Sequence, residues 1–226
     1  MSDGRRVSVA IILVVLVMAG VIAPQARADQ IAVGDTIVLN YASGFNGGGV
    51  GGGPFLLQDS TSGDSWITFC LERNEYFSPG VPMVVDSISD DAVEGGLGGP
   101  SPDPVDIRTA WLYRHFREGD LWSLTGVTAD PTGHYELQKA IWVIEQEWDP
   151  YNGNPFLDFL GQNPGLPSAD DLKFVFAVNP VIYSDGTIQT YKQSQLGYVP
   201  EPSTMALLGL GIAALSLSAA VRKLRK

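Results

Sequence analysis

The sequence predicts an α+β domain of mainly antiparallel β-sheet or sandwich, with two α-helices inserted between its strands. Three observations predict this fold. Segments with alternating apolar residues come first along the chain, two segments with helical apolar spacing follow, and alternating segments then return. Five Trp, eight Tyr and nine Phe provide the large apolar surfaces that a folded core requires. We expect this domain to occupy residues 29–198.

The strand predictions rest on alternation, because successive side chains of a strand point to opposite faces. In residues 66–71 it places Trp66, Thr68 and Cys70 on one face. The glycine-rich segment 44–53 lacks a following Gly-Lys-Ser/Thr, which favours a flexible surface loop over a phosphate-binding loop. A strand pair around Gly34-Asp35 is predicted at residues 30–41. Further strands are predicted at residues 66–71, 82–88, 172–178, 181–183 and 187–198, with a hairpin turn at 184–186.

Helical spacing of apolar residues predicts the two helices. In the first helix Asp103 is the predicted N-cap and Pro104 lies in the first turn, and the helix ends at Gly119. The second runs from about Gly133 to Trp148. The segment that follows, as far as residue 170, is rich in Pro, Gly and Asn and is predicted to be a loop.

The N-terminus has the parts of a secretory signal in order. Arg5 and Arg6 form a basic region, a long apolar run follows, and Ala26 and Ala28 frame a small-x-small cleavage site. We therefore predict that residues 1–28 form a signal helix that signal peptidase removes.

The C-terminus, residues 199–226, combines three features. Val199-Pro200-Glu201-Pro202 precedes an apolar stretch at residues 205–221, and a basic cluster ends the chain. The stretch is long enough for a transmembrane helix in a thin membrane, with the basic end in the cytoplasm. These residues resemble the PEP-CTERM sorting signal of Gram-negative bacteria. The resemblance implies transient anchoring in the inner membrane, processing by an exosortase, and a final place at the cell surface or in the extracellular matrix.

Composition limits the partners of the mature protein. The whole chain has 14 basic and 25 acidic side chains, and residues 29–202 keep seven basic and 24 acidic ones, a net charge near −17. Nucleic acid binding depends largely on Lys and Arg contacts with phosphate, so the balance argues against a nucleic acid partner. No calcium-loop pattern of alternating aspartates occurs, and we expect neither a metal site nor a cofactor.

A single cysteine in an exported protein cannot form an internal disulfide, so Cys70 needs another explanation. Cys70 lies in Thr-Phe-Cys-Leu-Glu, and Gln138 begins the stretch Gln-Lys-Ala-Ile-Trp that also holds Ala140 and Trp142. Together these stretches resemble the bacterial thioester domain of surface adhesins, in which a Cys near the start is followed by a Thr-Gln-x-Ala-x-Trp helix. Leu137 stands where that family usually has Thr.

This second resemblance implies a covalent role. Cys70 and Gln138 would form an internal thioester with loss of ammonia, which an amine or hydroxyl on a target surface then attacks. Trp66 and Trp142 would slow hydrolysis by excluding water, with Ala140 in the same supporting shell. The product would be an adhesin-like protein attached covalently to its target, and no enzyme.

Two other interpretations stay open. Cys70 is otherwise a small buried apolar residue of a structural protein in the exopolysaccharide or biofilm matrix. A cysteine hydrolase would need His115 or His134 as the base, and no hydrolase motif surrounds either histidine.

Overall fold

The computed structural model describes residues 31–46, 52–95, 97–98, 100–184 and 187–200. The predicted signal helix and transmembrane helix lie outside these residues. The strands are β1 (Thr36–Tyr41), β2 (Phe55–Asp59), β3 (Ser65–Thr68), β4 (Pro82–Ser89), β5 (Asp91–Ala92), β6 (Asp103–Pro104), β7 (Val175–Ser184), β8 (Thr187–Tyr191) and β9 (Gln195–Tyr198). The helices are α1 (Ile107–Glu118), α2 (Leu121–Thr125), α3 (Pro131–Ile144) and α4 (Pro155–Gln162), with a 3-10 turn at Asp171–Lys173.

The main sheet is antiparallel throughout, as predicted, in the order β3–β2–β1–β4–β7. The long strand β7 has two partners on its other edge: β9 pairs with its first half and β8 with its second half. The small strands β5 and β6 form a separate two-stranded ladder.

The sheet closes on itself, and this closure was not part of the predicted sheet or sandwich. Leu71 N donates to Ser194 O at 3.0 Å, and Leu196 N donates to Phe69 O at 3.0 Å. These bonds join β9 to the segment that follows β3. Closure gives partners to backbone groups that would otherwise be unpaired along an edge. The result is an antiparallel barrel of six strands (β1–β4, β7 and β9), whose seam passes beside Cys70.

Inward-facing side chains fill the barrel with one buried apolar cluster, here called the barrel core. On β1, β2 and the first half of β4, residues two apart point inward together, and a bulge after Val85 interrupts the alternation on β4. Cys70 comes from the seam, and Trp142 enters from α3. The barrel core consists of Ile37, Leu39, Phe55, Leu57, Trp66, Cys70, Met83, Val85, Trp142 and Val178.

The helices cover the outer face of the barrel at the seam. Phe69 and Leu71, the neighbours of Cys70, point outward and pack in a second cluster with residues of α1, α3 and α4. Tyr113 Oη on α1 donates to the carbonyl oxygens of Ile67 and Leu196, both at 3.0 Å. Because these carbonyls lie on the two sides of the seam, Tyr113 fixes α1 across it.

Both predicted helices are present, with different starts. Asp106, rather than Asp103, caps α1, because its side chain accepts the N–H of Arg108, while Asp103 lies in β6. Asp130 caps α3 by accepting the N–H of Gly133, and the helix ends at Ile144, before the predicted Trp148.

Other segments also differ from the prediction. The predicted strand 187–198 is divided into β8 and β9, and the segments 172–178 and 181–183 belong to the single strand β7. Residues 30–41 give one strand, because Asp35 N bonds back to Ala32 O in a turn instead of beginning a pair. Strand β2 was missed beside the glycine-rich segment. Helix α4 lies in the predicted loop, where the Asn154 side chain accepts the N–H groups of Phe156 and Leu157. Proline and asparagine here mark a helix start rather than a loop.

Among the described residues, no helix has both the length and the apolar character needed to cross a membrane.

Candidate functional site

The barrel seam determines how Cys70 is presented. Cys70 and Gln195 lie directly opposite each other, and the seam hydrogen bonds come from the residues on either side of them. They are therefore a non-hydrogen-bonded pair, in which the two side chains lie close together. The N–H and C=O of Cys70 point away from β9 and need another partner.

The side-chain amide of Gln138 supplies that partner. Its Oε1 accepts the N–H of Cys70 at 3.1 Å, and its Nε2 donates to Cys70 O at 2.8 Å. The amide thus binds Cys70 as the peptide group of a neighbouring strand would. Gly53 N–H also donates to Oε1, at 3.1 Å. Two backbone donors therefore converge on one side-chain carbonyl oxygen.

The thiol lies beside the same carbonyl. Cys70 Sγ is 3.3 Å from Gln138 Oε1, and since a carbonyl bond is about 1.2 Å long, the amide carbon is at most about 4.5 Å from the sulfur. Both residues are fully buried. The structure therefore brings together the two residues that the sequence singled out from segments 68 residues apart.

Burial raises the pKa of the Cys70 thiol well above its usual range. The nearby Glu72 carboxylate acts in the same direction, whereas the N–H groups of Gly53, Cys70 and Trp142 lower the pKa in part. The sulfur is therefore a neutral thiol near pH 7, unlike the exposed thiolates of cysteine hydrolases.

Gly52 is packed directly against the pair, so the end of the predicted surface loop is buried. A Cβ atom at this position would lie 2.7 Å from Gln138 Cγ and 2.7 Å from Trp142 Cη2. Only a glycine allows the backbone to approach both side chains so closely. This approach places the N–H of Gly53 on Gln138.

We predict that Gly52→Ala lowers the free energy of unfolding by about 2 kcal/mol, because the added methyl overfills the contact with Gln138 and Trp142. Gly161→Ala on α4 is the matched control, since a Cβ there meets nothing within 4 Å. The control should be neutral or stabilising by up to about 1 kcal/mol. Urea unfolding of both variants checks this. Equal stability of the two variants would contradict the packing described.

A stack of side chains extends outward from the site. Trp148 lies parallel to Trp142, with ring centroids 5.6 Å apart, and the guanidinium of Arg73 lies 3.7 Å above the Trp148 ring. Trp66 shares the barrel core with Cys70. Ala140, placed by sequence in the same shell, packs instead in the second cluster among the helices, because it lies on another face of α3.

The two histidines lie elsewhere. His115 Nδ1 is 2.8 Å from Asp120 Oδ1, and His134 Nδ1 donates to Asp130 O at 2.8 Å. Among the described residues, no histidine or carboxylate forms a hydrogen bond with Cys70 or with the Gln138 amide. The base that a cysteine hydrolase requires is therefore not in contact with the thiol.

One described group has metal-ligand chemistry: side-chain atoms of His115, Glu118 and Asp120 lie within 4.8 Å of one another. Its oxygens already have partners. Glu118 Oε1 accepts from Arg114 Nε and from Tyr198 Oη, both at 2.9 Å, and Asp120 binds His115. The group is an ion-pair network at the end of α1.

Three buried or half-buried carboxyl groups have raised pKa values. The Glu72 carboxylate accepts the N–H of Ser194 at 2.6 Å, and burial with neighbouring carboxylates raises its pKa to about 8. Burial likewise raises the pKa of Glu145 to about 8 and that of the half-buried Glu75 to about 7. Sequence reasoning did not find these groups, because no pattern in the sequence distinguishes a buried glutamate from an exposed one.

Sequence reasoning also missed Gly53 and Gln195. A glycine before a proline, at the end of a glycine-rich run, indicates that the backbone approaches another part of the chain closely. The pattern does not indicate which side chain it contacts. Gln195 lies in a predicted strand at a position where alternation expects an inward side chain, and a polar residue there was the available signal.

Comparison with known proteins identifies the C-terminus. Residues 199–225 match the family described as the PEP-CTERM protein-sorting motif, which confirms the predicted sorting signal. No curated protein and no solved structure matches the chain, and the thioester-domain resemblance has no support from these comparisons. The chain therefore carries a PEP-CTERM sorting motif, which implies export, processing at the membrane by an exosortase, and a cell-surface or extracellular destination.

Proposed function

We propose that the barrel domain forms an internal thioester between Cys70 and Gln138 and attaches the exported protein covalently to an amine or hydroxyl on a target surface. The observation that carries this proposal is the geometry of one amide. Two backbone N–H groups polarise Gln138 Oε1 while the Cys70 thiol lies 3.3 Å from the same oxygen.

The reaction needs no external reagent. The sulfur attacks the amide carbon of Gln138, the carbon–sulfur bond forms, and the carbon–nitrogen bond breaks. The thiol proton passes to the leaving nitrogen, which departs as ammonia. An amine or hydroxyl of the target later attacks the acyl carbon, and Cys70 leaves as a thiol with the proton of the nucleophile.

The N–H groups of Gly53 and Cys70 lie where an oxyanion would develop. Both are 3.1 Å from Oε1, at the upper end of the range found for donors that stabilise tetrahedral intermediates. In a site without water such donors act strongly, and they are already oriented before the reaction. They also compensate for the low nucleophilicity of the neutral thiol, because a polarised carbonyl carbon can be attacked by a weaker nucleophile.

Burial protects the proposed bond from water. Cys70 and Gln138 are fully buried, and the Gly52 segment and the stacked rings of Trp142 and Trp148 pack beside them. A thioester in this position would hydrolyse slowly and keep its reactivity for a nucleophile that reaches the barrel.

A second candidate is a structural protein of the exopolysaccharide matrix with no reactive bond. The raised pKa of the Cys70 thiol favours this candidate, because a neutral buried thiol is typically inert. In that role the Gln138 amide would serve only to complete the hydrogen bonds of the seam. The sorting motif suits both candidates, since each acts outside the cell.

Incorporation of a labelled amine separates the two candidates. The purified full chain is incubated with a biotin-labelled primary amine and digested, and the label is located by mass spectrometry. We expect the label at Gln138 in the native protein and none in Cys70→Ala, which keeps the backbone donors but lacks the nucleophile. Equal labelling of both proteins, or no label at Gln138, would leave the structural role as the better account.

A further inference from the structure

The barrel core contains polar atoms whose hydrogen bonds are incomplete. Gln195 is fully buried, and its Nε2 donates to Gln193 O at 3.1 Å, but its Oε1 has no partner among the described residues. The indole N–H of Trp66 is also buried without an acceptor in that part of the chain. A buried polar atom without a partner is costly, so each instance needs an explanation.

These atoms share the interior with the reacting pair. Gln195 is the non-hydrogen-bonded partner of Cys70 across the seam and is paired with Val178 on its other side. Side chains of directly paired residues lie on the same face. Since Cys70 and Val178 both point into the barrel core, Gln195 does so too, beside the sulfur.

A nitrogen carrying N–H groups takes part in the chemistry twice if the proposed function holds. Ammonia leaves the acyl carbon when the thioester forms, and an attacking amine approaches the same carbon when it is consumed. The attacking nitrogen becomes positively charged as its bond forms, and its N–H groups then require an acceptor. Among the described residues, Cys70 O accepts one N–H of the Gln138 amide nitrogen at 2.8 Å, and no second acceptor for that nitrogen appears among the hydrogen-bond partners of the pair, which leaves its other N–H groups without one.

We propose that Gln195 is a positioning residue for this nitrogen, with its side-chain carbonyl accepting an N–H of the departing ammonia and of the incoming amine. The indole N–H of Trp66 complements this role, because it can donate to the lone pair of ammonia after it is released. This proposal rests on the Cys70–Gln138 thioester. It explains why an amide, with an unused acceptor, occupies an inward position of an apolar barrel.

The test compares the native full chain with Gln195→Met and Gln195→Glu. Met has a similar volume and no strong acceptor, whereas Glu keeps a carbonyl oxygen at the same distance from the backbone. Each protein is incubated with graded methylamine, and mass spectrometry of the peptide containing residue 138 gives the ratio of methylamide to hydrolysed glutamate. Loss of one hydrogen bond should lower this ratio by about tenfold in Gln195→Met, and Gln195→Glu should restore most of it.

The outcomes are separable. A Gln195→Met ratio equal to the native one overturns the role of Gln195 and leaves the thioester intact. A yield of product that falls only in proportion to the folded fraction, at an unchanged ratio, shows that Gln195 only supports the fold, which also overturns the role. If Gln195→Met does not fold, the same ratio is measured in Gln195→Leu and Gln195→Glu. A native ratio in Gln195→Leu, or a strongly lowered ratio in Gln195→Glu, then overturns the role of Gln195. No methylamide in the native protein overturns the thioester itself.

Discussion

Replacing Gln138 with alanine should abolish amine incorporation and destabilise the barrel more than replacing Cys70 with alanine does. The substitution leaves the N–H groups of Gly53 and Cys70, and the carbonyl of Cys70, buried without partners. Each unsatisfied group costs about 1–3 kcal/mol. Relative to Cys70→Ala, the free energy of unfolding of Gln138→Ala should therefore fall by about 3 kcal/mol.

Cys70→Ala is the appropriate reference because neither variant can form the thioester. Any stabilisation by a covalent link between the two segments is absent from both, and the difference measures the hydrogen bonds of the amide alone. Urea unfolding gives this difference, and the labelled amine gives the chemistry. Equal stability of the two variants would show that Gln138 does not complete the seam.

Raising the pH from 5 to 8 should lower the stability of the domain by a few kcal/mol. Burial raises the pKa of Glu72 and Glu145 from 4.5 to about 8 in the folded protein. Between those pH values the folded state holds protons that the unfolded chain has released, so unfolding becomes easier as pH rises. The stabilisation is complete below about pH 4.5 and lost as pH passes about 8.

Glu145→Gln should remove roughly a third of this pH dependence, since glutamine keeps the acceptor for the N–H of Asp106 and cannot ionise, while Glu72 and the half-buried Glu75 still titrate. The measurement is thermal or urea unfolding at several pH values, made in Cys70→Ala so that hydrolysis of a thioester does not intervene. Asp149→Asn, at an exposed position, is the control and should keep the native profile. Stability that is constant or rises from pH 5 to 8 would contradict the burial of these carboxyl groups as neutral acids.

The sequence predicted those parts of the fold that depend on local pattern. Alternation found β4 and the hairpin of β7 and β8, and helical spacing found α1 and α3. Closure of the barrel could not be predicted in this way. It depends on pairing between Phe69–Leu71 and the strand β9, which lies beyond all four helices in the chain. Long-range pairing leaves no periodic signal in either segment.

The candidate site was predicted in its reactive residues and missed in its surroundings. Cys70 attracted attention as the single cysteine of an exported chain, and Gln138 through its spacing from Ala140 and Trp142. Gly53 contributes only a backbone N–H, which every residue type except proline has. Its role follows from the close approach of Gly52 to α3, a property of the folded chain.

The central claim is the bond between Cys70 and Gln138, and peptide mass spectrometry of the native full chain tests it most directly. The protein is unfolded in the presence of an alkylating agent at acidic to neutral pH, digested, and examined for the peptides that contain residues 70 and 138. The thioester predicts that these peptides remain linked, that their combined mass lacks one ammonia, and that Cys70 escapes alkylation. Two separate peptides, with Cys70 alkylated and Gln138 unmodified, would contradict the thioester and identify the barrel as an unreactive domain delivered by its sorting motif.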